Sequence, residues 1–162
     1  MLTDVDGVLT DAGVYVGPEG EVMKRFTVRD GMGVERLRTL AGLETGIITR
    51  ERSPIVERRA EKLRITELHL GVLDKLPCAR SIAERRGIPL SAVAYIGDDV
   101  NDLELLGAVG LSACPADAEP PVRGVVHHVC AARGGHGAFR ELAELILAAR
   151  AGAAADPPGG TA

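Results

Sequence analysis

Two acidic stretches stand out in the chain: Asp4-Val5-Asp6-Gly7, and Gly97-Asp98-Asp99-Val100-Asn101-Asp102. Each follows a short apolar run. In an extended segment side chains two apart share a face, so the carboxylates of Asp4 and Asp6 can converge on one point. Gly7 lets the backbone turn away behind them. Carboxylates so placed repel one another unless a cation or a shared proton lies between them. Asp98 ends another apolar run and supplies a third. Hard oxygens with no Cys or His beside them suit magnesium, which prefers near-octahedral oxygen ligands and keeps several waters. Either stretch alone is explained as well by helix caps and turns; the two together, each at a strand end, favour a metal site. A calcium loop does not fit, since that motif places Gly at its sixth position and Gly7 is fourth counting from Asp4. Thr49 closes a third apolar run and Lys75 follows a fourth. Taken singly, they read as a β-branched strand residue and a solvated helix-start lysine.

The elements that must position these groups alternate. Short β-branched runs are predicted as strands over residues 1–5, 45–49, 67–70, 93–96, 110–113 and 125–130. Helical spacing predicts helices over 31–41 with Asp30 as N-cap, from Ser53-Pro54 to about 63, over 74–86 closed by Gly87, around 102–106, and over 137–150. Residues 14–16 and 21–28 read as a β-hairpin turning at Gly17-Pro18-Glu19-Gly20. The pattern predicts an α/β fold, a doubly wound parallel sheet with helices on both faces. In such folds ligands bind outside the carboxyl ends of the strands, where the acidic stretches, Thr49 and Lys75 all fall. Residues 1–150 are expected to form one domain, and the Ala/Gly/Pro-rich residues 151–162 a flexible tail.

Composition narrows the function classes. The chain of 162 residues is 46% hydrophobic and 26% charged, as in soluble globular proteins. A net charge of −4 offers no basic field for a phosphate backbone, and Tyr15, Phe26, Tyr95 and Phe139 are the only aromatics, so nucleic acid is not an expected partner. No apolar run approaches the ~20 residues of a spanning helix, and no signal-peptide pattern is seen, so no membrane role is expected. Cys78, Cys114 and Cys130 lack metal spacing and read as buried thiols in a reducing cytoplasm. The adjacent His127 and His128 point to opposite faces of a strand and read as ordinary strand residues.

Asp-x-Asp-Gly-Val-Leu-Thr-Asp, Thr49, Lys75 and Gly-Asp-Asp-x-x-Asp, in that order, resemble the four motifs of the haloacid dehalogenase superfamily. The stretches DVDGVLTDAGVYV, IITRERSPIVERRAEKL, GVLDKL, VAYIGDDVNDLELL and RGGHGAFREL are similar to the phosphatases of 3-deoxy-2-ulosonic acid phosphates, the octulosonate 8-phosphate and nonulosonate 9-phosphate groups. The resemblance implies that Asp4 is a nucleophile forming an aspartyl phosphate and that Asp6 is the acid and then the base. Thr49 and Lys75 would hold the phosphoryl group. Magnesium would sit on Asp4, Asp98 and the backbone carbonyl of Asp6, with Asp99 and Asp102 supporting from behind. The substrate would be a small sugar-acid phosphate, met by Thr49, Arg50, Glu51 and Lys75. The spacing leaves no room for a separate cap domain. In the family the hairpin helps build a tetramer whose subunits cover each other's sites, and a homotetramer is expected here.

The chain departs from the octulosonate pattern Ile-Thr-Gly-Arg, reading Ile48-Thr49-Arg50-Glu51. An Arg in that place can pair with a substrate carboxylate, whereas Glu51 favours hydroxyls or an ammonium, as in the nonulosonate group. Arg50 or Arg52 can take over the charge. His136 stands where the family often has a basic residue. A broad sugar-phosphate phosphatase and a non-catalytic assembly module beside a cytidylyltransferase are the alternatives; the presence of Asp4, Asp6 and Lys75 weighs against the second.

Overall fold

The computed structural model describes residues 1–155. Six parallel strands form one sheet in the order β5-β4-β1-β6-β7-β8, with ranges β1 Leu2–Thr3, β4 Gly46–Ile48, β5 Glu67–His69, β6 Ala94–Ile96, β7 Leu111–Cys114 and β8 His128–Val129. A two-stranded hairpin, β2 Tyr15–Gly17 and β3 Gly20–Met23, leaves the chain after β1. Among the described residues there are also six α-helices: α1 Val28–Ala41, α2 Pro54–Leu63, α3 Lys75–Arg85, α4 Leu103–Leu106, α5 Pro120–Arg123 and α6 Ala138–Ala155.

The central strands β1, β4 and β6 are covered on both faces, while the edge strands β5 and β8 are only partly buried and carry Glu67, His69 and His128. Ile47, Ile96 and Ala113 face one cluster with Val34 and Leu37 of α1, Val56 of α2, and Phe139 and Leu142 of α6. Leu2, Ile48, Tyr95 and Cys114 face the other, with Ala79 and Ile82 of α3, Leu105 of α4 and Val122 of α5. Successive strand residues thus serve opposite layers, and the doubly wound arrangement read from the sequence is present. β1 sits centrally, Leu2 opposite Gly46 on one side and opposite Tyr95 on the other. The chain winds outward from β1 through β4 to β5, then returns to β6 and winds the other way. The direction reverses between β1 and β6, and a crevice opens at their carboxyl ends.

Several boundaries differ from expectation. The cap of α1 is Thr27, whose Oγ accepts from the Arg29 amide at 3.3 Å, and the helix begins at Val28. Asp30 therefore lies inside the first turn and is buried; its Oδ1 accepts from the Arg140 amide at 3.0 Å, so it caps α6 instead. Gly33 makes this neighbourhood possible, since a Cβ there would stand 3.1 Å from both the Arg140 Cα and the Phe139 ring. The hairpin's second strand stops at Met23, because Lys24 turns inward and Phe26 bridges to Thr10 rather than extending the ladder. Helix α6 runs past Arg150 through the helix-favouring alanines to Ala155, where a tail was expected; the rest of that expected tail, 156–162, lies outside the described residues. Among the described residues, no helix is long and apolar enough to cross a membrane.

Asp30→Ala should remove the anchor that α1 supplies to the start of α6 and lower stability by about 1–2 kcal/mol, read from the urea midpoint at unchanged m-value.

Candidate active site

Four chain segments deliver side chains to the β1–β6 crevice. Asp4 follows β1, its amide donating to the Ile96 carbonyl of β6 at 3.0 Å. Thr49 follows β4, its amide donating to the His69 carbonyl at 3.0 Å. Lys75 opens α3, and Asp98 follows β6. Asp4, Asp6, Thr49, Arg50, Glu51 and Asp98 line one cleft of about 280 Å³, with Asp99 at its edge. Residues far apart in sequence are thus brought together as expected, except that Lys75 and Asp102 lie beneath the cleft floor rather than in its wall.

Gly7 has φ +80°, and a Cβ there would collide with the Asp98 carboxylate. Only glycine lets the turn after Asp6 pass so close to Asp98.

The floor is a chain of buried charges. Lys75 Nζ lies 2.8 Å from Asp4 Oδ2 and 2.6 Å from Asp102 Oδ1. Asp102 Oδ1 also accepts from the Tyr95 hydroxyl, and Asp102 Oδ2 accepts from the amides of Asp98 at 3.0 Å and Asp99 at 3.3 Å. With four donors Asp102 is spent as a ligand, although one oxygen each of Asp4, Asp98 and Asp102 lie within 4.8 Å of one another. Asp99 caps the 3-10 turn Val100–Asp102 through the Val100 amide. Burial works against the Lys75 charge, but Asp4 and Asp102 outweigh it and hold the ammonium above its ordinary range.

Asp4, Asp98 and Asp102 lie together here, and Lys75 pairs with Asp4 and Asp102 but not with Asp98. The crowding shows in the titration of Asp98 and Asp4. Burial first, then Asp4 and Asp102, push Asp98 up to about 8. Burial raises Asp4 to about 6 even though Lys75 pulls the other way. A divalent cation between Asp4 and Asp98 would relieve both, and the donors are all hard oxygens, so the residues fit magnesium.

Asp6 goes elsewhere. Its Oδ1 accepts from Lys24 Nζ at 2.6 Å and from Thr10 Oγ at 3.3 Å, while its Oδ2 is buried without a protein partner. The expectation that Asp6 serves a metal concerns its backbone carbonyl; its carboxylate is turned to Lys24 and Thr10. Lys24, whose side chain is 1% exposed, went unnoticed in the sequence because a lysine in a hairpin strand ordinarily faces water. Tyr95 likewise carried no signal beyond that of an apolar strand residue.

His136 stays out of the cleft lining; its Nδ1 donates to the Gly134 carbonyl at 2.7 Å. The loop it belongs to braces the nucleophile turn from behind, the Gly135 amide donating to the Val8 carbonyl at 2.9 Å. His128, Cys130 and Glu141 also bring ligand atoms within 4.8 Å. Glu141, however, accepts from the Ala131 and Ala132 amides at 2.9 Å each, and burial pushes the Cys130 thiol up to about 12, so the group is structural. A larger cavity of about 410 Å³ opens at the amino end of the sheet beside Leu2, Gly46 and Ile82, where Arg86 is paired with Glu44 and Glu67. It holds no comparable chemistry.

Asp98 and Asp4 titrate higher in the folded, metal-free chain than the ordinary 3.8 of an unfolded carboxyl. Asp30, pushed up to about 6 by burial, adds in the same sense. The folded chain then holds protons the unfolded chain has lost, so stability should fall as pH rises from about 4 to 8. Thermal midpoints in chelator should drop across this window. Magnesium, or Asp98→Asn, should flatten the slope; a flat slope in chelator would contradict the charge crowding.

Residues 59–142 match the family model of the haloacid dehalogenase-like hydrolases. The chain is 41% identical to the 3-deoxy-D-manno-octulosonate 8-phosphate phosphatase of Yersinia pestis, over 93% of this chain and 80% of that protein. The cobalt-bound structure of the Haemophilus influenzae phosphatase superposes with a TM-score of 0.89 at 40% identity, covering 93% of this chain and 87% of that one. The Moraxella catarrhalis phosphatase, solved with magnesium, phosphate and KDO, gives 0.88 at 37% identity over 95% and 90%. The ordered carboxylates, the lysine beneath them and this likeness across nearly the whole chain agree: the chain belongs to the haloacid dehalogenase-like hydrolases and, within them, to the 3-deoxy-D-manno-octulosonate 8-phosphate phosphatase family.

Proposed function

We propose that the chain hydrolyses the phosphate monoester of a 3-deoxy-2-ulosonic acid through a phosphoaspartate on Asp4. The observation that carries this reading is Lys75 bridging Asp4 and Asp102 beneath a cleft whose rim holds Asp6 and Asp98. An Asp4 carboxylate oxygen attacks phosphorus, and the bond from phosphorus to the ester oxygen breaks. Asp6 passes a proton to the departing alkoxide. Asp6 then takes a proton from water as that water attacks phosphorus, the bond to Asp4 breaks, and inorganic phosphate leaves. Thr49 faces the phosphoryl oxygens and Lys75 steadies the charge on Asp4 throughout. Magnesium, held by Asp4 and Asp98 with the Asp6 carbonyl, supplies positive charge to the transferring group when bound.

The cleft wall carries the choice of substrate. The relatives in hand act on the eight-carbon 3-deoxy-D-manno-octulosonate 8-phosphate. One observation favours a nine-carbon nonulosonate 9-phosphate as a second reading: Arg50 and Glu51 stand side by side in the cleft, where an acid beside the substrate favours hydroxyls or an ammonium over a carboxylate. The non-catalytic reading is disfavoured, since nucleophile, acid and lysine are all in place.

Residues 1–150 would then form one uncapped phosphatase domain, with the three free thiols suiting a reducing cytoplasm. The hairpin leaves Tyr15, Val16, Val22 and Met23 more than half exposed, Val16 at 73%. An apolar strip of this kind supports a homotetramer joined through the hairpins.

Asp4→Asn should cut magnesium-dependent phosphate release by more than about 10³-fold with fold and mass unchanged, as when a covalent nucleophile is lost. Full turnover in that variant would remove Asp4 from its role. A comparison of kcat/KM on octulosonate 8-phosphate and nonulosonate 9-phosphates decides between the two substrates; Glu51→Arg should move preference toward the former. Val16→Glu with Val22→Glu should reduce the mass by light scattering from tetramer to smaller species.

A further inference from the structure

The hairpin does more than present an apolar strip. Its second strand ends at Met23, and the next residue, Lys24, turns back under the first catalytic loop. Lys24 is among the few buried charged residues of the chain, and its ammonium has two partners, Asp6 Oδ1 at 2.6 Å and Glu21 Oε2 at 3.1 Å. Glu21 belongs to the hairpin strand, and its other oxygen accepts from the hydroxyl of Ser53, the residue preceding α2. Ser53 occupies the N-cap position of α2 but caps nothing with its side chain; the hydroxyl is committed to Glu21. The line Ser53–Glu21–Lys24–Asp6 therefore joins α2, the hairpin and the β1 loop through buried or half-buried polar contacts.

Burying a lysine is costly unless it is paired, and a surface hairpin has no need of one. Among the described residues, Asp6 has no other charged partner, and Thr10 is its only further donor. Lys24 grips Oδ1 of Asp6, and Oδ2 is buried with no hydrogen-bond partner among the described residues, so the lysine fixes one end of the carboxylate while the other carries no competing contact. We propose that Lys24 is a positioning residue for the acid-base carboxylate Asp6, held in turn by Glu21 and Ser53, so that the hairpin is part of its own subunit's proton-transfer machinery. The inference rests on the reading of Asp6 as acid and base and deepens it. It does not depend on the hairpin meeting another subunit.

A carboxylate displaced by even about 1 Å from its proton-transfer geometry loses up to roughly 10²-fold in rate. The loss has a chemical signature. An aryl ester such as p-nitrophenyl phosphate expels a stable anion and needs no proton in the first step, whereas a sugar alkoxide does. Both substrates need a base to hydrolyse the aspartyl phosphate. Lys24→Met should therefore give a burst of nitrophenolate equal to the active sites, followed by turnover about 10- to 100-fold below wild type. Aspartyl phosphate should accumulate in acid-quenched samples. On the sugar-acid phosphate the variant should be slow from the first turnover, with KM little changed and no accumulation. Lys24→Arg, which keeps the charge and a donor, should recover most of the rate, and Glu21→Gln should show a milder form of the same signature. Circular dichroism and thermal midpoints confirm folding. Asp6→Asn provides the reference pattern; if it shows no difference between the substrates, the role of Asp6 fails and the proposal with it. If Asp6→Asn shows the signature and Lys24→Met turns over like wild type, or loses both substrates equally without a burst, the Lys24 proposal is overturned while the phosphatase reading stands. A Lys24→Met protein that does not fold shifts the decision to Glu21→Gln, where wild-type kinetics would overturn it.

Discussion

The structure is organised around an unbalanced buried charge. At the point where the sheet's winding reverses, three carboxylates crowd together in a crevice walled by apolar layers on both sides, and one ammonium pairs with two of them. Low dielectric makes each repulsion count for more than it would in water, which is why Asp98 and Asp4 hold protons well above the ordinary carboxylate range. The same arrangement attracts a divalent cation and a phosphoryl group, because both reduce the energy of groups that cannot move apart. Lys75 cannot do this alone: its charge is divided between Asp4 in front of it and Asp102 behind.

Holding such a cluster requires rigid supports that do not compete for the ligand. Asp102 is the principal one. Four donors from Lys75, Tyr95 and two amides saturate its oxygens, so it orients the lysine and the start of the Asp98 loop without being drawn into the cleft. On the other side, Gly7 removes a side chain where Asp98 must pass, and the loop before α6 braces the nucleophile turn through Gly135. Asp30 then ties that loop's helix to α1. These contacts are all polar or steric, and each replaces a degree of freedom the acidic residues would otherwise use to spread out.

The hairpin has two different faces. Its outward face is apolar and exposed. Its inward end buries one lysine against a carboxylate of the site. A strand that ends beside the loop after β1 is one way for a small insertion to order a carboxylate at the cleft.

Much of this was legible in one dimension. Asp4, Asp6, Thr49, Lys75 and Asp98 each stand where an apolar run meets a turn or a helix start, and a parallel sheet gathers the carboxyl ends of its strands whatever the details of packing. The helices over Pro54–Leu63 and Lys75–Arg85 followed from capping and apolar spacing. Asp30 misled, because a carboxylate near a helix start caps the helix it belongs to unless another helix start lies closer in space. Lys24 and Tyr95 were invisible for a related reason: a lysine on a hairpin and a tyrosine in a strand have common, uneventful explanations, and only the folded chain shows which atom each reaches. Sequence alone determined the order of the strands' chemistry and the kind of ion and reaction it suits, since residue type and local period set those. Tertiary structure decided which carboxylates lie against one another, which is saturated by donors and which is gripped by Lys24, because those placements depend on distances between residues that the chain separates by tens of positions.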